Sequence, residues 1–173
     1  MEEVKPLPQP EKEKYVRPTW DEYFLNLIEP LGARGTCDRG RSGSVIVSPH
    51  HTILATGYAG APPGMPHCDE AGHMMHTVIH EDSTQSQHCV RTLHAEENAI
   101  LQCAKYGIRL EGATIYSKMV PCYNCAMRIL RVGINRVVAK KRYHADKKSM
   151  DLFAKAGVVV YVVDNSIEQY KNQ

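Results

Sequence analysis

The spacing of apolar and polar residues divides most of the chain into helices and strands. Thr19 precedes a helical pattern and has a glutamate three residues later, so a capping box predicts a helix that begins there and ends near Gly32. Two short apolar runs, 44–47 and 52–56, predict strands joined by a turn. Residues 57–66 contain three glycines and three prolines, which favours a loop.

The second half of the chain alternates helix-like and strand-like segments. Three segments carry apolar residues on one helical face and end at a glycine: 94–106, 122–132 and 146–156. Strands are predicted beside them at 113–117, 136–140 and 158–163. This alternation predicts a layered α/β domain with a largely buried sheet.

The segment between these two parts, residues 67–93, has little hydrophobic periodicity and is rich in histidine and cysteine. A loop of this length is uncommon in a compact domain unless something orders it. We therefore interpret about 66–93 as a Cys/His-rich insertion.

The composition is that of one ordinary soluble domain. The chain has 173 residues, of which 43% are hydrophobic and 23% are charged. No apolar run approaches the roughly 20 residues of a membrane span. Residues 1–17 are polar, charged and proline-rich, so we expect a flexible N-terminal tail rather than an export signal, and a cytoplasmic protein. A net charge of +2 argues against a nucleic-acid partner but suits a small anionic substrate.

A histidine, a glutamate and two cysteines form a split motif typical of metal chemistry. His94 and Glu96 stand two residues apart, and Cys122 and Cys125 follow after Pro121. His-x-Glu with Pro-Cys-x-x-Cys is the signature of zinc-dependent nucleobase deaminases. His94, Cys122 and Cys125 would give a catalytic zinc three protein ligands and leave a fourth position for water. Both halves of the motif fall at predicted helix starts, where the helix dipole favours thiolates.

Glu96 is left free of the metal in this arrangement. We predict that it takes a proton from the attacking water and returns protons to the ring nitrogen and the leaving amine. Two other interpretations of the motif stay open. A closed structural zinc site would need a fourth protein ligand from elsewhere, and a redox pair of Cys122 and Cys125 would leave the His-x-Glu half unexplained.

A second group of potential metal ligands lies before and within the insertion. The chain has six cysteines, and without an export signal metal binding is a better interpretation of them than disulfides. We expect a second, structural zinc to order the insertion. Its predicted ligands are Cys37, Cys68, His73 and Cys89, with His88 as an alternative. Small buried cysteines beside exposed histidines are the other interpretation.

The chain resembles the deoxycytidylate (dCMP) deaminase family, within the cytidine deaminase-like superfamily, over most of residues 19–163. The resemblance rests on the split motif and on segments at 37–47, 55–58, 60–64, 67–70 and 94–100. It implies a three-layer α/β/α sandwich with a five-stranded mixed sheet. It also implies hydrolysis of dCMP to dUMP, a precursor for dTTP synthesis, in a homo-oligomer (hexamer or dimer) with dCTP and dTTP as candidate allosteric effectors.

Two positions depart from the family pattern. The family usually reads Gly-Tyr-Asn-Gly where this chain has Ala59 in place of the asparagine, and the resemblance assigns that asparagine a hydrogen bond to the sugar. Its loss is expected to relax sugar or nucleotide preference by about 1–3 kcal/mol. Thr92 stands where members with a second zinc often have Cys or Glu, so the missing ligand is expected from the insertion.

Candidate substrate contacts follow from the resemblance and from charge. Ala59, Gly60 and Asn98 lie in segments that match the family and are candidate nucleotide contacts. Arginine binds phosphate through two parallel hydrogen bonds, so basic and hydroxyl groups near the motif are phosphate candidates. They are Arg39, Arg41, Ser42, Arg91 and Tyr143. The alternative for each arginine is a solvated surface side chain.

Two other classes of function are weighed against dCMP deamination. A deaminase of free cytidine, of a tRNA adenosine or of cytosine in single-stranded nucleic acid shares the motif. A polynucleotide enzyme should show a basic or aromatic groove, whereas the basic residues of 128–142 are balanced by acidic ones overall. A non-catalytic, zinc-stabilised binding module would have no chemical need for Glu96.

Overall fold

A mixed sheet with helices on both faces forms the body of the protein. The computed structural model describes residues 14–79, 83 and 85–168, and these contain five helices and seven strands. The helices are α1 (Trp20–Gly32), α2 (Cys68–Ala71), α3 (Ala95–Tyr106), α4 (Tyr123–Arg131) and α5 (Lys147–Lys155). The strands are β1 (Gly43–Val47), β2 (Ile53–Tyr58), β3 (Met75–Ile79), β4 (Gln85–Cys89), β5 (Thr114–Met119), β6 (Arg136–Arg142) and β7 (Val159–Ile167).

The predicted capping box begins α1. The Thr19 hydroxyl accepts a hydrogen bond from the Glu22 backbone N–H at 3.3 Å, and the Glu22 carboxylate accepts one from the Thr19 backbone N–H at 2.8 Å. The helix ends at Gly32, as predicted. All the other elements outside 67–93 are also confirmed, with bounds that shift by a few residues.

The strand order is β2-β1-β5-β6-β7. β1 runs antiparallel to β2 and β5, whereas β5, β6 and β7 are parallel and are joined through α4 and α5. Neighbouring strand residues face opposite sides of the sheet: Val45 packs with Phe24 of α1, and Ile46 packs with the cluster that contains Ile129 and Phe153. This arrangement confirms the three-layer α/β/α sandwich with a five-stranded mixed sheet.

β7 is less buried than its apolar sequence predicts. It is an edge strand, and Val159, Tyr161 and Val163 are 60%, 50% and 54% exposed. α1 packs on β1, β5 and β6 and leaves this face of β7 open among the described residues. The expectation of a largely buried sheet therefore holds for the central strands and is wrong for this edge.

The insertion is ordered as the short helix α2 followed by a hairpin of β3 and β4. The two strands pair antiparallel, from Met75 opposite Cys89 to Ile79 opposite Gln85. The sequence predicted a metal-ordered insertion here but did not predict its two strands. β3 contains Met75, Val78 and Ile79, whereas β4 is polar apart from Cys89, and none of these residues is fully buried. Neither strand therefore shows the alternation of apolar and polar residues that would have indicated a strand.

The structure describes only the end of the predicted N-terminal tail. Residues 1–13, most of the predicted tail, lie outside the described residues, and residues 14–19 run without regular structure into α1. Within the described part of the chain, no helix combines the length and apolar character needed to cross a membrane.

Candidate active site

The two halves of the split motif meet at the N-termini of α3 and α4. His94 and Cys122 are the N-cap residues of these helices, and each has extended backbone before the first helical residue. Cys125 lies in the first turn of α4. The His94 Nδ1 atom is 3.4 Å from the Cys122 sulfur and 3.5 Å from the Cys125 sulfur. Two helix starts thus bring one nitrogen and two sulfurs together.

The chemistry and spacing of these three atoms fit zinc. In tetrahedral coordination, usual zinc–sulfur and zinc–nitrogen bond lengths place such atoms about 3.5 Å apart. Both measured distances from His94 Nδ1 agree with that value. Cys122 and His94 also line a cavity, so a fourth coordination position can face a substrate.

The three groups strongly perturb one another's proton affinity. A hydrogen bond from the Cys125 thiol, reinforced by His94, lowers the pKa of Cys122 to about 4. Cys122 in turn raises the pKa of His94 to about 9 and the pKa of Cys125 above its usual range. The lowered pKa favours the thiolate form of Cys122, which is the form that binds a metal.

Glu96 lies in the first turn of α3, beside the ligand group. Its side chain lines the cavity, and the residue is only 8% exposed. Burial raises the pKa of the Glu96 carboxyl, and the charge of His94 opposes that rise. A carboxyl with a raised pKa at this place can exchange a proton with a reactant.

Close contact between β2 and α3 sets the position of this site. A Cβ atom on Gly57 would lie 2.1 Å from the Ala95 carbonyl oxygen, so only glycine permits this approach. The Asn98 side chain donates hydrogen bonds to the carbonyl oxygens of Tyr58 at 2.7 Å and Gly60 at 3.4 Å. Asn98 therefore orders the loop after β2 and fixes it to α3.

The cavity opens where β5 and β6 end, the edge at which α/β sheets commonly bind ligands. Of the predicted substrate contacts, four line it: Arg39, Ser42, Ala59 and Tyr143. Burial, reinforced by Cys122, raises the pKa of Tyr143 to about 12, so its hydroxyl remains a neutral donor.

Four other predicted contacts are not brought to the cavity wall: Arg41, Gly60, Arg91 and Asn98. Arg41 is exposed, and Arg91 Nε donates to the Gly72 carbonyl oxygen at 2.9 Å. Sequence reasoning missed several wall residues instead, among them Gln87, Thr92, Met119 and Val120, and it considered His88 only as a metal ligand. No local motif marks these positions, because the fold assembles them from separate segments.

The second predicted ligand group also comes together. Its side-chain donor atoms, from Cys37, Cys68, His73 and Cys89, all lie within 4.8 Å of one another. The Cys37 sulfur is 3.7 Å from His73 Nδ1, and the Cys68 and Cys89 sulfurs are 3.5 Å apart. Tetrahedral zinc places a sulfur and a nitrogen about 3.5 Å apart and two sulfurs about 3.8 Å apart, so both measured pairs lie within about 0.3 Å of the spacing that the metal requires. His88, the alternative ligand, lies outside this group.

The surroundings of the second group suit metal binding. Asp38 Oδ1 is 3.0 Å from His73 Nε2, so a carboxylate orients the imidazole while its other nitrogen faces the sulfurs. Burial alone would raise the pKa of Cys89. Hydrogen bonds from the Arg91 backbone and, to a smaller extent, from His73 outweigh burial and lower the pKa of Cys89 to about 7. Burial raises the pKa of Cys68 to about 12.

A protein-family model matches residues 18–141 and is described as the cytidine and deoxycytidylate deaminase zinc-binding region. ComE operon protein 2 of Bacillus subtilis is 38% identical over 159 residues, which are 91% of this chain and 79% of that protein. A deoxycytidylate deaminase of Mycobacterium phage D29 is 38% identical over 72% of this chain and 97% of its own length. A Saccharomyces cerevisiae deoxycytidylate deaminase is 33% identical over 84% of this chain, which spans only 45% of that relative.

The fold has close counterparts among solved structures. A dCMP deaminase from the cyanophage S-TIM5, in complex with dCMP and dUMP, superposes with a TM-score of 0.67 and 26% identity. The match covers 86% of this chain and 99% of the cyanophage protein. The similarity therefore extends over the sheet and the two helices that carry the split motif.

Proposed function

Because the chain belongs to the deoxycytidylate deaminase family, among the zinc-binding cytidine and deoxycytidylate deaminases, we propose that it hydrolyses dCMP to dUMP and ammonia. The observation that carries the proposal is the cavity in which Glu96 lies beside His94 and Cys122. The choice of dCMP is supported by the phage and yeast relatives and by the cyanophage enzyme with dCMP and dUMP. Residues 18–173 form the proposed deaminase domain.

His94, Cys122 and Cys125 are the proposed ligands of the catalytic zinc. When bound there, zinc would supply Lewis acidity that activates water for attack on the amino-bearing ring carbon. The chain contributes the rest of the chemistry. N-terminal backbone dipoles of α3 and α4 favour the anionic side chains at the site.

Glu96 is the proposed proton carrier. It is close enough to the ligand group for His94 to affect its pKa, and burial keeps that pKa raised. As the carboxylate, Glu96 takes one proton from the attacking water and passes it to the ring nitrogen. It then takes the second proton, from the hydroxyl group that the water leaves on the ring carbon, and passes it to the leaving amine as the carbon–nitrogen bond breaks. Water thus supplies both protons, and Glu96 ends the reaction as the carboxylate in which it began.

Arg39, Ser42 and Tyr143 are the proposed phosphate and sugar contacts that remain on the cavity wall. Arg39 supplies a permanent positive charge, and the two hydroxyl groups supply neutral donors. Ala59 lines the same cavity without a polar side chain, so discrimination between deoxyribose and ribose is expected to be weaker than an asparagine would give.

The second group, formed by Cys37, Cys68, His73 and Cys89, is proposed to hold one structural zinc. Four protein ligands close the coordination shell, as is usual for structural sites. The orienting contact from Asp38 supports the assignment. The chain would then carry two zinc ions of different purpose, one open to substrate and one closed.

We also propose where the enzyme works, what its product is used for and how it assembles. All six cysteines are described and none of them forms a disulfide, which suits a reducing compartment and supports a cytoplasmic location. The product dUMP would feed dTTP synthesis. We also propose a homo-oligomer, a hexamer or a dimer, with dCTP and dTTP as effectors. Sedimentation with and without these nucleotides measures the assembly and its response.

Ammonia release from dCMP, CMP, deoxycytidine and dCTP tests the substrate assignment. We expect dCMP to have the highest kcat/KM. Deoxycytidine should be the poorest substrate that still reacts, because it lacks the phosphate. Equal turnover of deoxycytidine and dCMP would contradict phosphate recognition. A zinc-loaded protein that turns over none of the four would favour a binding module or a different base.

A further inference from the structure

The β3–β4 hairpin supplies part of the wall of the proposed active site. Gln87, His88 and Cys89 of β4 line the same cavity as Glu96 and His94. Cys89 belongs to the second ligand group, but that group leaves His88 without an assigned role. The imidazole of His88 is therefore available for a role in the cavity itself.

Several contacts hold β4 in place against the cavity. Arg39 Nη2 donates to the Gln87 carbonyl oxygen at 3.0 Å, and Arg91 Nε donates to the Gly72 carbonyl oxygen at 2.9 Å. Cys89, at the end of the strand, is tied to the second ligand group. The hairpin is thus a fixed part of the site and not a loop that merely passes near it.

The His88 ring is itself oriented by a neighbour on the same strand. Its Nε2 atom is 2.8 Å from the Ser86 hydroxyl oxygen, and residues two apart lie on one face of a strand. Both residues are half-buried. A ring held in this way can recognise a ligand without first losing much rotational freedom.

The chemistry of a pyrimidine nucleotide indicates which part of the substrate meets this wall. The carbon that loses ammonia must lie against Glu96 and the ligands of the catalytic zinc. The sugar is attached across the ring from that carbon, so the sugar and its 5′-phosphate extend into the part of the cavity away from Glu96. Among the described wall residues, Arg39 is the one lysine or arginine. Its contact with the carbonyl of Gln87 places it beside His88.

We propose that His88 is a substrate-binding residue that contacts the 5′-phosphate together with Arg39. The inference rests on the proposed deaminase function and adds a phosphate contact to it. A phosphate group offers three acceptor oxygens, and one guanidinium cannot satisfy all of them. The imidazole from β4 adds a donor beside it, so the hairpin makes the enzyme selective for nucleotides over nucleosides.

The test compares His88→Ala with His76→Ala. His76 lies opposite His88 on β3 and does not line the cavity, so it is a matched control. We expect His88→Ala to lower kcat/KM for dCMP by about tenfold to hundredfold, mainly through KM, and to leave deoxycytidine turnover unchanged. His88→Gln keeps N–H donors and should recover part of the loss. His76→Ala should behave as the wild type.

Metal content and calorimetric binding of dUMP and deoxyuridine are measured on the same proteins. Weaker dUMP binding by His88→Ala, with metal content and deoxyuridine binding unchanged, supports the phosphate contact. Equal losses for dCMP and deoxycytidine, a loss of metal, or unchanged kinetics would overturn it. If the wild type deaminates neither substrate, the deaminase proposal fails separately, and dUMP binding still decides the role of His88.

Discussion

Two adjacent carboxylates in the first turn of α3 have different surroundings. Glu96 is 8% exposed and lines the cavity, where burial raises its pKa. Glu97 instead forms an ion pair with Arg128 of α4 at 3.0 Å and does not line the cavity. Consecutive helical residues point about 100° apart, so one step along the chain separates the proposed proton carrier from a residue that joins α3 to α4.

Substitution of Glu96 by glutamine is expected to remove catalysis and leave the zinc. Glutamine keeps the size of the side chain but cannot exchange the proton, so kcat should fall by about 10²-fold to 10⁴-fold. Zinc content should stay at the wild-type level, because Glu96 is not one of the grouped ligands. Ammonia release from dCMP and metal analysis of the same sample measure both effects.

Glu97→Gln is the matched control for that substitution. Its partner Arg128 is 44% exposed, and partly exposed ion pairs contribute about 0–1 kcal/mol, so stability and turnover should change little. A Glu97→Gln variant as inactive as Glu96→Gln would show that general charge near the zinc, and not proton transfer by Glu96, accounts for the loss.

Local spacing decided which site residues the sequence could predict. His94, Glu96, Cys122 and Cys125 stand in two short motifs, and each motif is held in shape by the start of one helix. The rest of the cavity wall comes from separate segments, so its members have no common spacing. Of two nearby arginines, only Arg39 lines the cavity, and nothing in their sequence context distinguishes it from its neighbour.

At the scale of elements, helices and central strands were predictable and the hairpin was not. The buried strands and amphipathic helices owe their patterns to the core that they share. The residues of β3 and β4 lie outside that core and are exposed or half-buried, and the second ligand group and the hydrogen bond from Arg39 connect the hairpin to the rest of the protein. Metal ligands indicated that the segment is ordered, but not that it forms strands.

Helix α1 is attached to the sheet by a polar network as well as by its apolar face. The Asp21 carboxylate accepts hydrogen bonds from Arg136 of β6 at 2.8 and 2.7 Å and from the Tyr116 hydroxyl of β5 at 2.8 Å. The Arg136 hydrogen bond is the main cause that lowers the pKa of Asp21 below 3.8. A carboxyl whose pKa is lowered on folding stabilises the fold above its unfolded-state pKa, and this contribution disappears as the pH falls through the lower folded-state pKa.

Asp21→Asn should therefore lower the free energy of unfolding at neutral pH by about 1 kcal/mol, since both charged partners are about one-third exposed. The difference from the wild type should shrink as the pH falls below 3.8. Urea unfolding at about pH 7 and about pH 3.5 measures it. Glu29→Gln, which removes the 59%-exposed partner of Lys140, is the control and should change little at either pH. A pH-independent difference for Asp21→Asn would mean that packing, not charge, attaches α1.

For the whole molecule, the two ligand groups belong to one structural unit. The second group joins three segments far apart in sequence: the loop before β1, the region of α2, and the end of β4. Cys37 and Cys89 of that group line the same cavity as His94 and Cys122 of the first. In the proposed assignment, the closed zinc site holds the substrate wall while the open zinc site performs the chemistry.

Cys68→Ser should separate these two roles. Cys68 belongs to the second group and does not line the cavity, so zinc is expected to fall from about two per chain to about one, with the catalytic ion retained. The insertion would lose its anchor, and the free energy of unfolding should fall by more than about 2 kcal/mol. Cys103→Ala is the control. Cys103 is buried on the core side of α3, away from both groups, so this variant should keep both ions.

Metal analysis and urea unfolding test the structural zinc site. A wild type with one zinc per chain, or a Cys68→Ser variant that retains two, would contradict it. The remaining zinc in Cys68→Ser should still support slow deamination with a raised KM for dCMP, since the ligands at α3 and α4 are intact while the β4 wall is not.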